Sequence, residues 1–67
     1  MKAMEEKMLA YLKMRLDDYL WEEKAYGAED RFVAKKLTGL LACKQMVEAM
    51  IQKPVNIQKN GEVTVGF

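Results

Sequence analysis

From Lys2 to Tyr26 the chain runs without a glycine or a proline, and its apolar residues return at steps of three and four. Met4, Met8, Tyr11, Leu12, Leu16, Tyr19 and Tyr26 form one stripe of an α-helix, widened by Leu9 and Leu20. The Glu, Lys, Arg and Ala between them are good helix formers. At ~1.5 Å per residue such a helix is about 36 Å long. A chain of 67 residues that spends so much of its length on one rod has few ways left to enclose a core. The rod needs a second element of similar length laid beside it.

The sequence supplies one. Gly27 suits the left-handed position that ends a helix, and Glu29 and Asp30 put negative charge where the next helix N-terminus favours it. From about residue 29 to residue 53, Phe32, Val33, Leu37, Leu40, Leu41, Val47 and Ile51 share one side, and Pro54 closes the run. A short connection between two helices of similar length predicts an antiparallel hairpin. Met4 and Met8 should then lie beside Met46 and Met50, with Trp21, Tyr26 and Phe32 gathered at the loop end.

The remaining residues, about 54–67, read "PVNIQKNGEVTVGF" and predict a β-hairpin around Asn60-Gly61. A two-residue turn would mix apolar and polar side chains on both faces. A three-residue turn, Lys59-Asn60-Gly61, pairs Ile57 with Val63 and Val55 with Val65. Val55, Ile57, Val63, Val65 and Phe67 then share one face, and Asn56, Gln58, Glu62 and Thr64 the other. Gly61 should sit in a bulge. The apolar face must cover the helices, and the expectation is that it does so at their methionine end. The whole chain, residues 1–67, reads as one small α+β domain.

A domain of this size usually needs a staple or a partner. One cysteine, Cys43, allows no intrachain disulfide, and without histidine it cannot complete a structural zinc site. Helix one offers the alternative. Ala3, Ala10, Met14 and Trp21 form a second apolar strip, roughly opposite the first. A helix apolar on two sides must bury both. The second helix and the β-hairpin could share the two strips between them; the preferred reading is a two-fold dimer in which two helical hairpins make a four-helix core. Met4, Met8, Met46 and Met50 read as a pliable core that joins the helices to the hairpin, or else as an adaptable apolar surface for a partner helix or strand.

Catalysis is not expected. No histidine is present to act as a base near neutral pH. Glu5-Glu6, Asp17-Asp18 and Glu22-Glu23 are sequence neighbours, and adjacent helical residues diverge by about 100° rather than converge. Cys43, in an apolar helix, reads as core filler. The scattered glycines make no phosphate-binding loop, so no cofactor and no metal is anticipated.

The charges divide unevenly. Residues 1–30 carry five Lys/Arg against eight Asp/Glu, net −3, and residues 31–67 carry six against two, net +4. The two halves should attract each other. Within the basic half, "VAKKLTGLL" resembles the first helix and turn of phage-repressor-like DNA-binding domains through Val33, Ala34, Leu37 and Gly39. That resemblance implies a helix-turn-helix over residues 33–50, with Lys35, Lys36 and Lys44 meeting nucleic acid. The residues themselves read otherwise. Thr38 separates Leu37 from Gly39, "LLACKQ" continues a helix rather than capping a new one, and the periodicity runs from Phe32 to Ile51. One helix is expected, with Gly39 marking close approach of its neighbour.

No apolar run reaches the roughly 20 residues that span a bilayer, and "MKAMEEKMLAYLK" is too charged for a secretory signal. The sequence therefore predicts a cytoplasmic, non-enzymatic interaction or oligomerisation module. Its genre is that of small accessory or regulatory proteins of phages and mobile elements. A DNA-binding regulator is the alternative.

Overall fold

The structure, a computed structural model, describes residues 2–66. It contains α1 (Lys2–Tyr26), α2 (Arg31–Ile51), β1 (Val55–Ile57) and β2 (Val63–Val65). The α+β order read from the sequence is the one observed. The two strands form an antiparallel sheet.

Each junction has a chemical cause. Gly27 ends α1 at φ +90°, a conformation open to glycine, and its N–H donates to the Glu23 carbonyl at 2.8 Å. The Asp30 carboxylate accepts the N–H groups of Phe32 (2.8 Å) and Val33 (3.2 Å), which satisfies two donors the first helical turn leaves free. Because Asp30 takes the cap, α2 starts at Arg31 rather than near residue 29. At the far end Gln52 adopts φ 59° and gives its N–H to the Glu48 carbonyl at 2.8 Å. The residue before Pro54 is pushed out of helical geometry by the proline ring. The helix thus stops at Ile51, two residues short of the expected Lys53.

The hairpin register is the one the alternation demanded. Val55 pairs with Val65, Asn56 with Thr64 and Ile57 with Val63. Gln58 and Glu62 close a three-residue turn: Gln58 N–H donates to the Glu62 carbonyl and Gly61 N–H to the Gln58 carbonyl, both at 3.0 Å. Gly61 lies at φ +91°, as a bulge glycine should. Asn56, Gln58, Glu62 and Thr64 are exposed. Val55 is fully buried, and Ile57, Val63 and Val65 pack against the core. Phe67, assigned to the same face, lies outside the described residues.

Three elements meet at that core. It consists of Leu12, Leu16 and Tyr19 from α1, Val33, Leu40 and Val47 from α2, and Val55 from β1. Val33, Leu40 and Val47 are spaced seven apart, the repeat of a narrow helix–helix seam. That narrowness corrects the sequence reading. Met4, Tyr11 and Tyr26 on α1, and Phe32 and Leu41 on α2, were placed on the buried stripes and are exposed. A seam between two helices hides a smaller arc of each than a globular core does.

The hairpin's position is a second correction. It starts at the methionine end but does not cover it. After Pro54 the chain turns back along the helix pair, so Ile57, Gln58 and Lys59 line a hollow with Leu16, Tyr19, Leu20 and Leu37. Lys13 Nζ holds the Gly61 carbonyl at 2.8 Å. A Cβ on Gly61 would come within 3.0 Å of Asp17 Oδ1, so the turn lies flat on the middle of α1. The cause is the apolar seam: the three inward valines and the isoleucine join the core of Leu12, Leu16 and Leu40 in the middle of the pair, not at its end.

The opposite charges of the two halves do meet. Lys36 reaches Asp18 at 2.7 Å and Glu22 at 2.8 Å, and Lys53 reaches Glu5 at 3.3 Å. Exposed pairs of this kind contribute little to stability, typically about 0–1 kcal/mol each, and serve better to fix the helices' alignment. The molecule is a rod of 37 × 20 × 18 Å, its long axis set by α1.

Candidate interaction face

α2 is continuous from Arg31 to Ile51. It passes through Leu37, Thr38 and Gly39 without a turn, as the periodicity required and the helix-turn-helix resemblance did not. Thr38 Oγ1 donates back to the Ala34 carbonyl at 3.1 Å, a bond made only where the helix persists. The three lysines of that segment occupy separate environments. Lys36 is tied to α1, Lys44 pairs with Glu48 at 3.3 Å, and Lys35 stands 6.0 Å from the Phe32 ring centroid. Gly39 marks a close approach, though to a side chain rather than a backbone. Its missing Cβ would lie 2.9 Å from Arg15 Nη2.

The hairpin covers one side of the helix pair. The sides it leaves bare carry a row of three depressions, none lined by a hairpin residue. At the methionine end a hollow of about 260 Å³ is lined by Met4, Met8, Met46 and Met50, with Lys7, Tyr11, Cys43 and Val47. The expected convergence of the four methionines is therefore present. In the middle lies one of about 450 Å³ between Tyr11, Met14, Arg15, Asp18 and Lys36. At the loop end the third, about 330 Å³, is walled by Glu22, Tyr26, Asp30, Phe32 and Lys36. Tyr11 joins the first to the second, and Lys36 the second to the third.

Of the two apolar groups singled out in the sequence, the four methionines line the first depression and Met14 the middle one, while Ala3, Ala10 and Trp21 line none of the three. Ala3, Ala10, Met14 and Trp21 are all exposed, so neither α2 nor the hairpin covers the second strip of α1. Met4, Met46 and Met50 are exposed as well, while Met8 is half-buried against the core. Trp21 and Tyr26 pack edge to face with centroids 6.5 Å apart, and Tyr26 shares its depression with Phe32, so the aromatic cluster at the loop end is present. Cys43 is half-buried on the floor of the methionine hollow, packed against the core.

Sequence reasoning missed Tyr11. Spaced with the core residues, it sits instead on the open face, where its hydroxyl accepts from Arg15 Nη1 at 3.1 Å and its ring lies 5.8 Å from the guanidinium carbon. The i,i+4 spacing of Tyr11 and Arg15 was the available signal. Two polar anchors under the hairpin also escaped notice. Glu48 accepts the Val55 N–H at 2.8 Å, and that bond, helped by Lys44, holds its carboxyl below the ordinary carboxylate range. The Tyr19 hydroxyl donates to Glu23 at 2.8 Å, and this bond together with burial raises its pKa. On the open face Lys36 is held protonated beyond its usual range by Asp18 and then Glu22.

Among the described residues no cluster of three or more His, Cys, Asp or Glu is placed to hold a metal ion, and no helix is long and apolar enough to cross a membrane. Comparison of the chain with protein-family models, curated proteins and solved structures finds no match.

Proposed function

We propose that this chain is a non-enzymatic protein-interaction module whose docking surface is the open face of the helix pair. One observation carries the reading. Met4, Tyr11, Met14, Trp21, Tyr26, Phe32, Met46 and Met50 are all large, apolar and exposed, and they are distributed along both helices on sides the hairpin leaves bare. Single exposed apolar residues need no explanation, but a connected stretch of them marks a contact surface. Methionine and aromatic side chains are also the types enriched where proteins meet.

The occupant we favour is a second copy. Two such pairs packed face to face make the four-helix core that one pair lacks, with the hairpins outermost. The role that fits a small, cofactor-free, oligomerising chain is that of a cytoplasmic accessory or regulatory protein, of the kind phages and mobile elements carry. A DNA-binding regulator using Lys35, Lys36 and Lys44 has less support, since two of the three lysines are already engaged by carboxylates within the chain.

Sedimentation equilibrium from low micromolar to near-millimolar concentration tests the proposal, with Met14→Glu and Trp21→Glu alongside. A dimer that dissociates in both variants is the expected result. A monomer throughout, or a dimer indifferent to both charges, refutes self-association through this face. Duplex binding that weakens steeply with salt and is lost in a Lys35→Glu, Lys36→Glu, Lys44→Glu variant would favour the regulator instead.

A further inference from the structure

Resting on that interaction reading, the geometry points to one particular pairing: the methionine end of each copy packs on the aromatic end of the other. The whole molecule measures 37 × 20 Å along its two longest axes, so a face-to-face contact covers at most roughly 700 Å² per copy, against the ~800 Å² per partner of a standard stable interface. Two copies stacked face to face can be related by a two-fold lying in the contact plane in only two ways. An axis along the helices stacks α1 on α2 and brings like ends together. An axis across the helices stacks α1 on α1 and α2 on α2, with the ends exchanged.

Three properties of the face select the second arrangement. The first is shape. The methionine end is a hollow of about 260 Å³, whereas the loop end carries Phe32, Trp21 and Tyr26, which are 74%, 64% and 62% exposed. Exchanged ends set the exposed Phe32 and Tyr26 walls of the loop-end depression against the methionines, while matched ends set thioethers on thioethers and rings on rings. The second is chemistry: thioethers are pliable and pack favourably against aromatic rings. The third is charge. The methionine end carries Lys7 beside a Glu5–Lys53 pair, and the loop-end depression Glu22 and Asp30 with Lys36 alone.

The levels along the rod agree. On α1 the midpoint between the Met4/Met8 pair and the Trp21/Tyr26 pair falls at Met14 and Arg15. On α2 the midpoint between the Met46/Met50 pair and Phe32 falls at Leu40. The structure places these midpoints side by side, since Arg15 Nη2 lies against Gly39, the neighbour of Leu40. An axis crossing both helices there sets Met8 level with Trp21 of the second copy, Met4 with its Tyr26, and Phe32 between its Met46 and Met50. Lys7 comes level with Glu22 of the second copy. Met14 lies beside Met14.

Disulfide trapping in a Cys43→Ser background tests the register at a concentration where the chain sediments as a dimer. Single cysteines go at exposed positions, so the fold is preserved and circular dichroism verifies it. The expected result is that Met14→Cys cross-links to itself, and that Met4→Cys, mixed with Tyr26→Cys, gives the mixed dimer. Met4→Cys alone should give no cross-link, because two such sites would lie ~30 Å apart at ~1.5 Å per residue. A mixed dimer of Met4→Cys with Met50→Cys, and none with Tyr26→Cys, overturns the exchanged register in favour of matched ends. That outcome leaves the interaction reading standing, whereas a chain that sediments only as a monomer overturns both.

Discussion

Replacing Gly39 with alanine should stabilise the protein. In the middle of a helix alanine is favoured over glycine by about 1 kcal/mol, because glycine has more backbone freedom to lose on folding. Against this stands one contact: the new methyl would meet Arg15 Nη2 at 2.9 Å, closer than real Cβ atoms come to a neighbour. The obstacle is the tip of a flexible side chain and not a backbone atom. Arg15 holds Tyr11 through a single exposed hydrogen bond at 3.1 Å and a ring contact at 5.8 Å. Losing these costs a few tenths of a kcal/mol at an exposed i,i+4 site. The net gain is then about 0.5 kcal/mol, a rise of roughly 2–4 °C in melting temperature for a domain of this size. Thermal unfolding at fixed, low protein concentration reads it, since association would raise the midpoint with concentration. The Arg15→Ala background gives the control, in which the same substitution should gain its full ~1 kcal/mol. A loss of stability in both backgrounds would refute the reasoning, because it would mean that the helices, and not the guanidinium, fill the space beside Gly39.

The caps and the hairpin anchor make three further tests. Asp30→Ala removes the acceptor for Phe32 and Val33 N–H and should lower stability by about 1 kcal/mol in the same melts. Gln52→Gly should raise it by about 0.5–1 kcal/mol, the relief of a left-handed side chain exceeding the added freedom of the unfolded chain. A fall in stability would show that the Gln52 side chain contributes more than its backbone strain removes. Glu48→Gln should destabilise near neutral pH, with the gap from the parent narrowing as acid is added. The sign follows from the depressed carboxyl: its stabilisation is complete above the ordinary value of 4.5 and is lost as pH falls through the lower folded value. A gap unchanged between pH 7 and about pH 3 would remove Glu48 as the ionised anchor of Val55.

The features legible in the sequence were those in which a local rule and the tertiary fold agree. Gly27, Asp30 and the Asn60-Gly61 turn each have one good backbone solution, and the structure uses it. The hairpin register could be derived because a slip by one residue would bury Asn56 and Thr64. Spacing could not separate core from surface on the helices. Leu12 and Tyr11 follow each other in α1 and both fit its three- and four-residue spacing, yet one is fully buried and the other exposed, and only the direction of approach of α2 and the hairpin decides between them. The stop of α2 at Ile51 depended on a left-handed glutamine that no propensity scale favours. The second strip of Ala3, Ala10, Met14 and Trp21 was visible because it needs no partner in the chain to be seen. What lay beyond reach was the continuity of the depression beside Met14 with the methionine hollow through Tyr11, which requires both helices in place.

The same narrowness of the core makes the open face a physical consequence of the fold. The hairpin can cover only one side of a helix pair, and its seven-residue buried core takes Val55 and the inner seam of each helix. Each helix then presents its remaining apolar arc to water, and those arcs hold most of the large side chains: the one tryptophan, two of the three tyrosines and four methionines are more exposed than any core residue. With no disulfide possible and so little buried, the chain gains more from covering that face than a larger domain would. Mutations there and mutations in the seam should consequently behave differently. Leu40, fully buried, is needed for the fold at any concentration, whereas Met14 and Trp21 matter to stability only where association occurs. A stability that depends on protein concentration in the parent and not in Trp21→Glu is the expected result, and its absence from the parent would refute a fold completed by a second copy.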